Sequence, residues 1–211
     1  MWIPRRWPPN VPRKLVDPIV RRRTVALAGH AGDATTAREH LDDEDPSVRA
    51  TALTAIQRAG DLRPDDLVTA LADGSPTVRQ RAAELAARQP GDTPPTLLPA
   101  LDDPEPAVVE TAAWASGERV PAESGAVTAL TAIARHHDDP LCREAAVAAL
   151  GALADPAGLP AILAATQDKP AIRRRAVLAL APFDGPEVDA ALTRALEDRD
   201  WQVRQAAEDL R

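Results

Sequence analysis

A motif that recurs seven times, at intervals of about thirty residues, constrains the fold of this 211-residue chain more than any other feature. Its fourth residue is Arg in six copies, and the residue three positions later is Ala in six copies. Self-similarity at such a period is typical of proteins built from stacked structural repeats. The copies begin at Pro18, Pro46, Pro76, Pro106, Pro140, Pro170 and Trp201.

The motif has the features of a helix start. Asp or Ser precedes it in five copies, where the side chain can accept hydrogen bonds from free amides of a first turn: Asp17, Asp45, Ser75, Asp139 and Asp200. Pro suits the first helical position, since its missing N–H is not needed there. Apolar residues then follow at helical spacing, as at Val48, Ala52 and Ile56. The recurrent Ala predicts that neighbouring helices pack closely.

Shorter apolar stretches between these helices predict a first helix for each pair, over residues 34–41, 64–71, 94–101, 125–134, 157–166 and 187–196. Pairs of this length cannot bury their apolar faces alone, whereas a stack of seven pairs can. The sequence therefore predicts an all-α fold, a right-handed α-solenoid of about seven helix pairs over residues 14–211. Residues 1–13, which are rich in Pro and basic residues, are predicted to form a separate extended arm.

The repeated pattern Asp-x-Asp-Pro-x-Val-Arg, followed by Ala-x-x-Ala-(Leu/Ile), resembles the HEAT repeat, especially its short bacterial form named after phycobilin lyases. The resemblance covers about residues 14–211. It implies the solenoid fold but leaves function open, because similar proteins include binding scaffolds, bilin lyase subunits, di-iron deoxyhypusine hydroxylases and, more distantly, DNA glycosylases. The hydroxylases use repeated His-Glu pairs as metal ligands, and this sequence has none.

Charge is divided unevenly along the chain. The formal net charge of −7 combines +6 over residues 1–23 with −13 over the remainder. In the arm, Arg5, Arg6, Arg13 and Lys14 are candidates for contact with an anionic partner such as nucleic acid or a membrane surface. The alternative is that the arm caps the first repeat. The acidic body makes nucleic acid the less favoured partner.

The fourth copy breaks the pattern and is a candidate binding region. Val109 replaces the recurrent Arg, Trp114 lies in the second helix, and a longer loop over residues 117–125 follows. Trp114 is predicted to anchor a partner; the alternative is that its ring fills volume left by small neighbours. Trp201, in the last copy, is predicted to close the stack.

Two kinds of arginine are distinguished. We name the six motif arginines the arginine ladder and expect each to pair with a recurrent Asp: Arg21, Arg49, Arg79, Arg143, Arg173 and Arg204. Arg81, Arg174 and Arg175 are additional, and they fall on second helices, which line the concave face in HEAT-type stacks. With Trp114 and Glu110 they form the predicted partner-binding set.

No catalytic residue, cofactor or metal site is predicted. Cys142 occupies a position that is Val or Ile in all other copies, and is expected to be a buried thiol; as a single Cys it excludes an internal disulfide. The cluster His136-His137-Asp138-Asp139 lies where a first helix ends and is interpreted as a turn.

The favoured function is a non-catalytic scaffold that binds another protein through its concave face. One alternative is a lyase or DNA-repair-type enzyme, for which Glu110 and Trp114 are the nearest constellation, and another is nucleic-acid or anionic-surface binding through the arm. With no apolar run of about 18 residues and no apolar middle to a signal peptide, a cytoplasmic protein without a membrane span is expected. It is expected to be a monomer or a weak homodimer.

Overall fold

The computed structural model describes residues 16–88 and 94–211, and all regular secondary structure in these residues is helical. The predictions on the arm, including those on Arg5, Arg6, Arg13 and Lys14, lie outside the described residues. The α-helices are α1 Pro18–His30, α2 Ala34–Arg38, α3 Pro46–Arg58, α4 Pro64–Leu71, α5 Pro76–Ala86, α6 Leu98–Leu101, α7 Pro106–Gly117, α8 Ala126–His136, α9 Pro140–Leu153, α10 Leu159–Ala165, α11 Pro170–Ala179, α12 Pro186–Ala195 and α13 Trp201–Glu208.

The helices form two compact units, one ending at Pro95 and the other beginning at Thr96. In the first unit α1 packs on α3 and α3 on α5. In the second unit α7 packs on α9, α9 on α11, and α11 on α13. The remaining helices pack beside these. The fold is an α-solenoid, in which the helices that carry the same motif stack in chain order within each unit.

The seven motif copies coincide with seven helices, α1, α3, α5, α7, α9, α11 and α13, each of which begins at the first residue of its copy. The predicted caps are confirmed at four of them: Asp17, Asp45, Asp139 and Asp200 each accept a hydrogen bond from the amide two residues onward. The prediction for Ser75 was wrong, because its hydroxyl makes no capping bond to the helix.

The helix expected over residues 94–101 begins late, at Leu98. Pro95 disfavours the helical conformation for the residue before it. The amide of Leu97 donates to Glu123 Oε2 at 3.0 Å. This contact spans 26 residues, so the local pattern gave no sign of it. In the fifth pair, a 3-10 turn at Pro156–Gly158 precedes α10.

Small residues allow the helices that begin at a motif copy to pack close together, as the recurrent Ala predicts. That Ala is fully buried in all six copies that carry it: Ala52, Ala82, Ala112, Ala146, Ala176 and Ala207. Glycines near the ends of three of these helices pack even closer. A Cβ added to Gly29 would lie 2.6 Å from Ala55 Cα, and one on Gly151 would lie 2.7 Å from Ala179 Cα. Neither helix pair has room for a larger side chain at these points.

Trp201 does not close the stack, and that prediction was wrong. It is the first residue of α13, and 64% of it remains exposed. Among the helices of the described residues, none combines the length and the apolar character needed to cross a membrane.

Candidate functional site

Four members of the arginine ladder each join the turn of their own repeat to the turn of the following repeat. Arg49 shows the pattern: its Nε and Nη2 donate to the two carboxylate oxygens of Asp73 at 2.8 and 2.7 Å. Its Nη1 donates to the carbonyl of Asp43, in the turn of its own repeat, at 2.7 Å. The same two-pronged bond joins Arg21 to Asp43, Arg143 to Asp168 and Arg173 to Asp198. These four pairs confirm the predicted pairing for Arg21, Arg49, Arg143 and Arg173. For Arg204 the prediction was wrong, because its Nη1 donates to the backbone carbonyl of Asp198 and the described residues offer it no carboxylate contact.

The ladder is a structural feature rather than a binding surface. The side chains of Arg21 and Asp43 are 1% and 2% exposed. The hydrogen bond from Arg143 lowers the pKa of Asp168, and that from Arg173 lowers the pKa of Asp198. Because their donors are already used, these arginines are not free to hold a partner.

The exposed surface of α7, α9 and α11 carries most of the predicted partner-binding set. We call this surface the second-helix face and define it by Glu110, Trp114, Glu144, Ala148, Arg174, Arg175 and Leu178. Because the three helices share one motif and pack in order, equivalent positions form rows across them. One row is apolar, with Trp114, Ala148 and Leu178. The other is charged, with Glu110, Glu144 and Arg174.

The apolar row is accessible to a partner. Trp114 is 40% exposed, and Leu178 is 38% exposed. The ring of Trp114 is therefore partly packed against the protein and partly free. Leu141, at the start of α9, is 55% exposed. It adds an apolar side chain to α9, the helix that contributes Ala148 to the row. Exposed apolar side chains on three adjoining helices differ from the scattered single residues of an ordinary surface.

The charged row is only partly neutralised. Arg175 Nε lies 3.5 Å from Glu144 Oε1, a long ion pair at the centre of the face. Neither Arg174 nor Glu110 has an ion-pair partner among the residues that the structure describes. The face therefore presents a free positive group on α11 and a free negative group on α7, with the apolar row one helical turn away.

Arg81 lies apart from these residues, on α5 of the first unit. Its Nη1 donates to Glu84 Oε2 at 2.6 Å, and both side chains are more than a third exposed. The structure thus brings together four of the five predicted residues, Glu110, Trp114, Arg174 and Arg175, on one unit. Arg81 is on the other unit, in an ion pair within its own helix.

Three residues of the face, Glu144, Ala148 and Leu178, are missing from the predicted set. Ala148 offers only a methyl group, whereas Glu144 offers a charge and Leu178 an exposed apolar side chain. Both are detectable in the sequence, because Glu144 occupies the motif position of Glu110 and Leu178 that of Trp114. Comparing each exposed position across copies would have found them.

The loop after α7 is held by buried polar contacts. Arg119 is 7% exposed and donates to Glu123 Oε2 at 3.2 Å. Burial lowers the pKa of Arg119. Glu123 in turn accepts hydrogen bonds from the Thr96 hydroxyl and the Leu97 amide. These bonds tie the loop to the segment that leads into α6.

Two side chains that could be chemically reactive, Cys142 and His137, are both engaged in contacts within the fold. Burial raises the pKa of Cys142 to about 11, and its Sγ donates to the Pro106 carbonyl at 3.2 Å, so the predicted buried thiol is confirmed. His137 Nδ1 accepts from the Asp139 amide at 3.1 Å, within the turn that follows α8. Over residues 16–88 and 94–211, no three His, Cys, Asp or Glu side chains are grouped as metal ligands would be.

Comparison with known proteins identifies the type of repeat. A family model described as HEAT repeats matches residues 64–150 and 127–211. No curated protein sequence matches significantly. Among solved structures, the X-ray structure of YibA from Escherichia coli has a TM-score of 0.63 at 18% identity, covering 93% of this chain and 75% of that chain. An engineered protein has a TM-score of 0.57 at 18% identity, covering 83% and 94%. Likeness at this identity shows the fold alone.

Proposed function

From the premise that this chain belongs to the HEAT-repeat family, we propose that it is a non-catalytic scaffold that binds another protein through the second-helix face. The observation that carries the proposal is the apolar row on α7, α9 and α11, in which Trp114 is 40% exposed. Trp is enriched among the residues that contribute most to protein–protein binding, since it buries a large area with few rotatable bonds. Stacked repeats commonly bind partners through one extended surface.

The charges of the face define the partner further. A segment that lays apolar side chains on Trp114, Ala148 and Leu178 brings its polar residues beside the charged row. Since Arg174 and Glu110 are at opposite ends of that row, a partner with an acidic residue near α11 and a basic residue near α7 fits best. The Arg175–Glu144 pair between them requires no partner charge.

The finer classification is also part of the proposal. The Asp-x-Asp-Pro-x-Val-Arg pattern supports assignment to the short, phycobilin-lyase type of HEAT repeat, here as a binding member. We further propose that the protein is cytoplasmic and monomeric until it meets its partner. The single thiol, Cys142, is free and buried, in accord with a reducing compartment.

Quantitative affinity capture tests the proposal. The tagged protein, Trp114→Ala and Leu178→Ser are each incubated with lysate of the source cell, and captured proteins are quantified by mass spectrometry. We expect at least one protein to be captured by the native chain and reduced about tenfold or more by each variant, as for the loss of a central anchor residue.

Trp201→Ala is the matched control, because Trp201 is 64% exposed yet lies outside the second-helix face. Circular dichroism establishes that each variant is folded. The proposal is wrong if the captured protein is retained by Trp114→Ala and Leu178→Ser, or if Trp201→Ala reduces its capture as strongly.

A further inference from the structure

The helices of the first unit that begin at a motif copy carry a basic surface. Of the charged residues on α1, α3 and α5, only Glu84 is acidic. Apart from the ladder, exposed basic side chains lie near the start of α1 and in the last turns of α1 and α3. We name these residues the basic face: Arg22, Arg23, His30 and Arg58.

A direct contact places two members of the basic face side by side. Arg58 Nη1 donates to His30 Nε2 at 3.0 Å, between the packed helices α1 and α3. Arg23 lies seven residues before His30 on α1, which is about two turns and about 10 Å along the same side of the helix. The small, half-buried residues Ala26 and Thr54 lie between these two levels. The basic face therefore has two basic levels separated by a low surface.

The basic face has no acidic counterpart. None of its four members contacts a carboxylate within residues 16–88 and 94–211. Basic side chains in the last turn of a helix offset its dipole, which accounts for His30 and Arg58. Arg22 and Arg23 gain no such benefit, because they lie in the second turn of α1, far from its C-terminal end. Binding of an anion gives these two arginines a role.

Equivalent positions in the second unit carry different chemistry. Trp114 of the second-helix face aligns with Ala26 and Thr54, so α1 and α3 have no aromatic side chain at that position. The basic residues at the ends of α1 and α3 align with Glu118 and Ala152. The basic face therefore selects a partner by charge rather than by apolar contact, and it is distinct from the surface proposed above.

We propose that the basic face binds an acidic segment of a protein, whose carboxylates reach both levels of the face. The guanidinium fork of Arg matches the two oxygens of a carboxylate, and such a pair is stronger than a neutral hydrogen bond. In a polyproline II segment, side chains three residues apart lie on one side of the chain at a distance of about 9 Å. This spacing matches the separation between Arg23 and His30.

Nucleic acid fits the face less well. A nucleic-acid strand carries a phosphate at every nucleotide, whereas the basic side chains stand at two separate levels. The turn that leads into α3 carries the exposed acids Asp42 and Glu44, which repel a polyanion that extends past the face. The net charge of −7 opposes binding of a long polyanion in the same way.

An NMR titration of the full chain with three probes tests the proposal. The peptide acetyl-(Glu-Pro-Pro)4-amide presents carboxylates at the required spacing, and acetyl-(Gln-Pro-Pro)4-amide is its uncharged match. An oligothymidylate of equal charge represents nucleic acid. We expect saturable amide shifts in α1 and α3 with the Glu peptide, at least about tenfold weaker binding of the Gln peptide, and weaker binding of the oligothymidylate.

Two variants locate the site. Arg23→Gln and Arg58→Gln remove one charge at each level, and each is expected to weaken binding of the Glu peptide several-fold. Arg63→Gln is the matched control, because the side chain of Arg63 is 65% exposed in the same unit but lies at the start of α4, outside the basic face. Melting curves establish that every variant is folded.

Four outcomes overturn the proposal. They are an absence of saturable shifts in α1 and α3 with the Glu peptide, equal affinity for the Glu and Gln peptides, tighter binding of the oligothymidylate, and Glu-peptide binding that Arg23→Gln and Arg58→Gln weaken no more than Arg63→Gln does. Shifts confined to residues 1–13 would place the peptide on the arm instead. Because Trp114 and Leu178 are unchanged in every variant, the result is independent of the function proposed for the second-helix face.

Discussion

The absence of a Cβ atom at two glycines allows neighbouring motif helices to approach one another closely. Gly151 of α9 faces Ala179 of α11 with no room for a methyl group, since an added Cβ would lie 2.6 Å from the Ala179 Cβ. Gly117 faces Ala149 in the same way, with the added Cβ 2.8 Å from the Ala149 Cα. Glycine normally weakens a helix relative to alanine. At these positions the loss in helix propensity is offset by closer packing of the two backbones.

Gly151→Ala is therefore expected to destabilise the protein, although the same change favours the helical conformation. We expect a loss of about 1–3 kcal/mol in the free energy of unfolding, the usual cost of overpacking a tight contact. Urea unfolding followed by circular dichroism measures it.

Gly74→Ala is the control, because a Cβ at that position meets no atom within 4 Å. It is expected to change stability by less than about 0.5 kcal/mol, as for other surface substitutions. Equal effects of the two variants would show that the helices can move apart at Gly151.

At the scale of elements, the arginine ladder connects one helix pair to the next. Each of its arginines donates to a carbonyl in its own turn. Four pairs also join an arginine to a carboxylate in the following turn: Arg21–Asp43, Arg49–Asp73, Arg143–Asp168 and Arg173–Asp198. Arg21 is the most buried of these four, and its partner Asp43 also accepts the amide of Asp45 at 3.0 Å. Loss of Arg21 would leave a buried carboxylate without its cation.

Arg21→Leu is expected to lower the free energy of unfolding by about 3–5 kcal/mol, as when one partner of a buried pair is removed. Arg22→Leu removes the same charge from the neighbouring, exposed position and is expected to cost less than about 1 kcal/mol. Chemical denaturation of the two variants provides the comparison. A small loss for Arg21→Leu would mean that the leucine side chain compensates for the lost pair.

The start of a helix was predictable from the sequence where neighbouring residues determine it. Asp45 and Pro46 mark the start of α3 by chemistry within three residues. By contrast, α6 begins later than expected, and the Leu97 amide at its start donates to Glu123 in a bond that no local window contains. The second-helix face was partly predictable, because Trp114 interrupts a regular pattern. The ion pair between Arg175 and Glu144 was not, since it joins two helices whose spacing is set by packing.

At the scale of the whole molecule, the ion pairs of the arginine ladder make the free energy of unfolding decrease when the protein is acidified. Arg143 and Arg173 lower the pKa values of Asp168 and Asp198 in the second unit. In the first unit burial opposes ionisation of Asp43 and Asp73, yet hydrogen bonds from Arg21 and Arg49 outweigh it and their pKa values are also lowered. A carboxylate whose pKa is lower in the folded state stabilises that state whenever it is ionised.

Melting temperature is therefore expected to vary little through this mechanism above about pH 5, and to fall as pH drops below about 4, the ordinary pKa of Asp. The stabilisation is present above the unfolded pKa and is lost as pH falls through the folded pKa. Asp198→Asn is expected to melt lower than the native protein at pH 7, and the difference is expected to shrink in acid. Thermal melts between pH 7 and pH 2.5 measure both; a difference that is constant with pH contradicts the mechanism.

The repeated bond between turns also bears on how such a chain changes over generations. Arg49 meets the Asp of the next copy in the same geometry as Arg143 does, so the joints between copies are interchangeable. Unequal recombination that removes or duplicates a whole copy with the motif arginine still places an arginine opposite an aspartate. The length of the gene can then change in steps of about thirty codons without a new interface having to evolve.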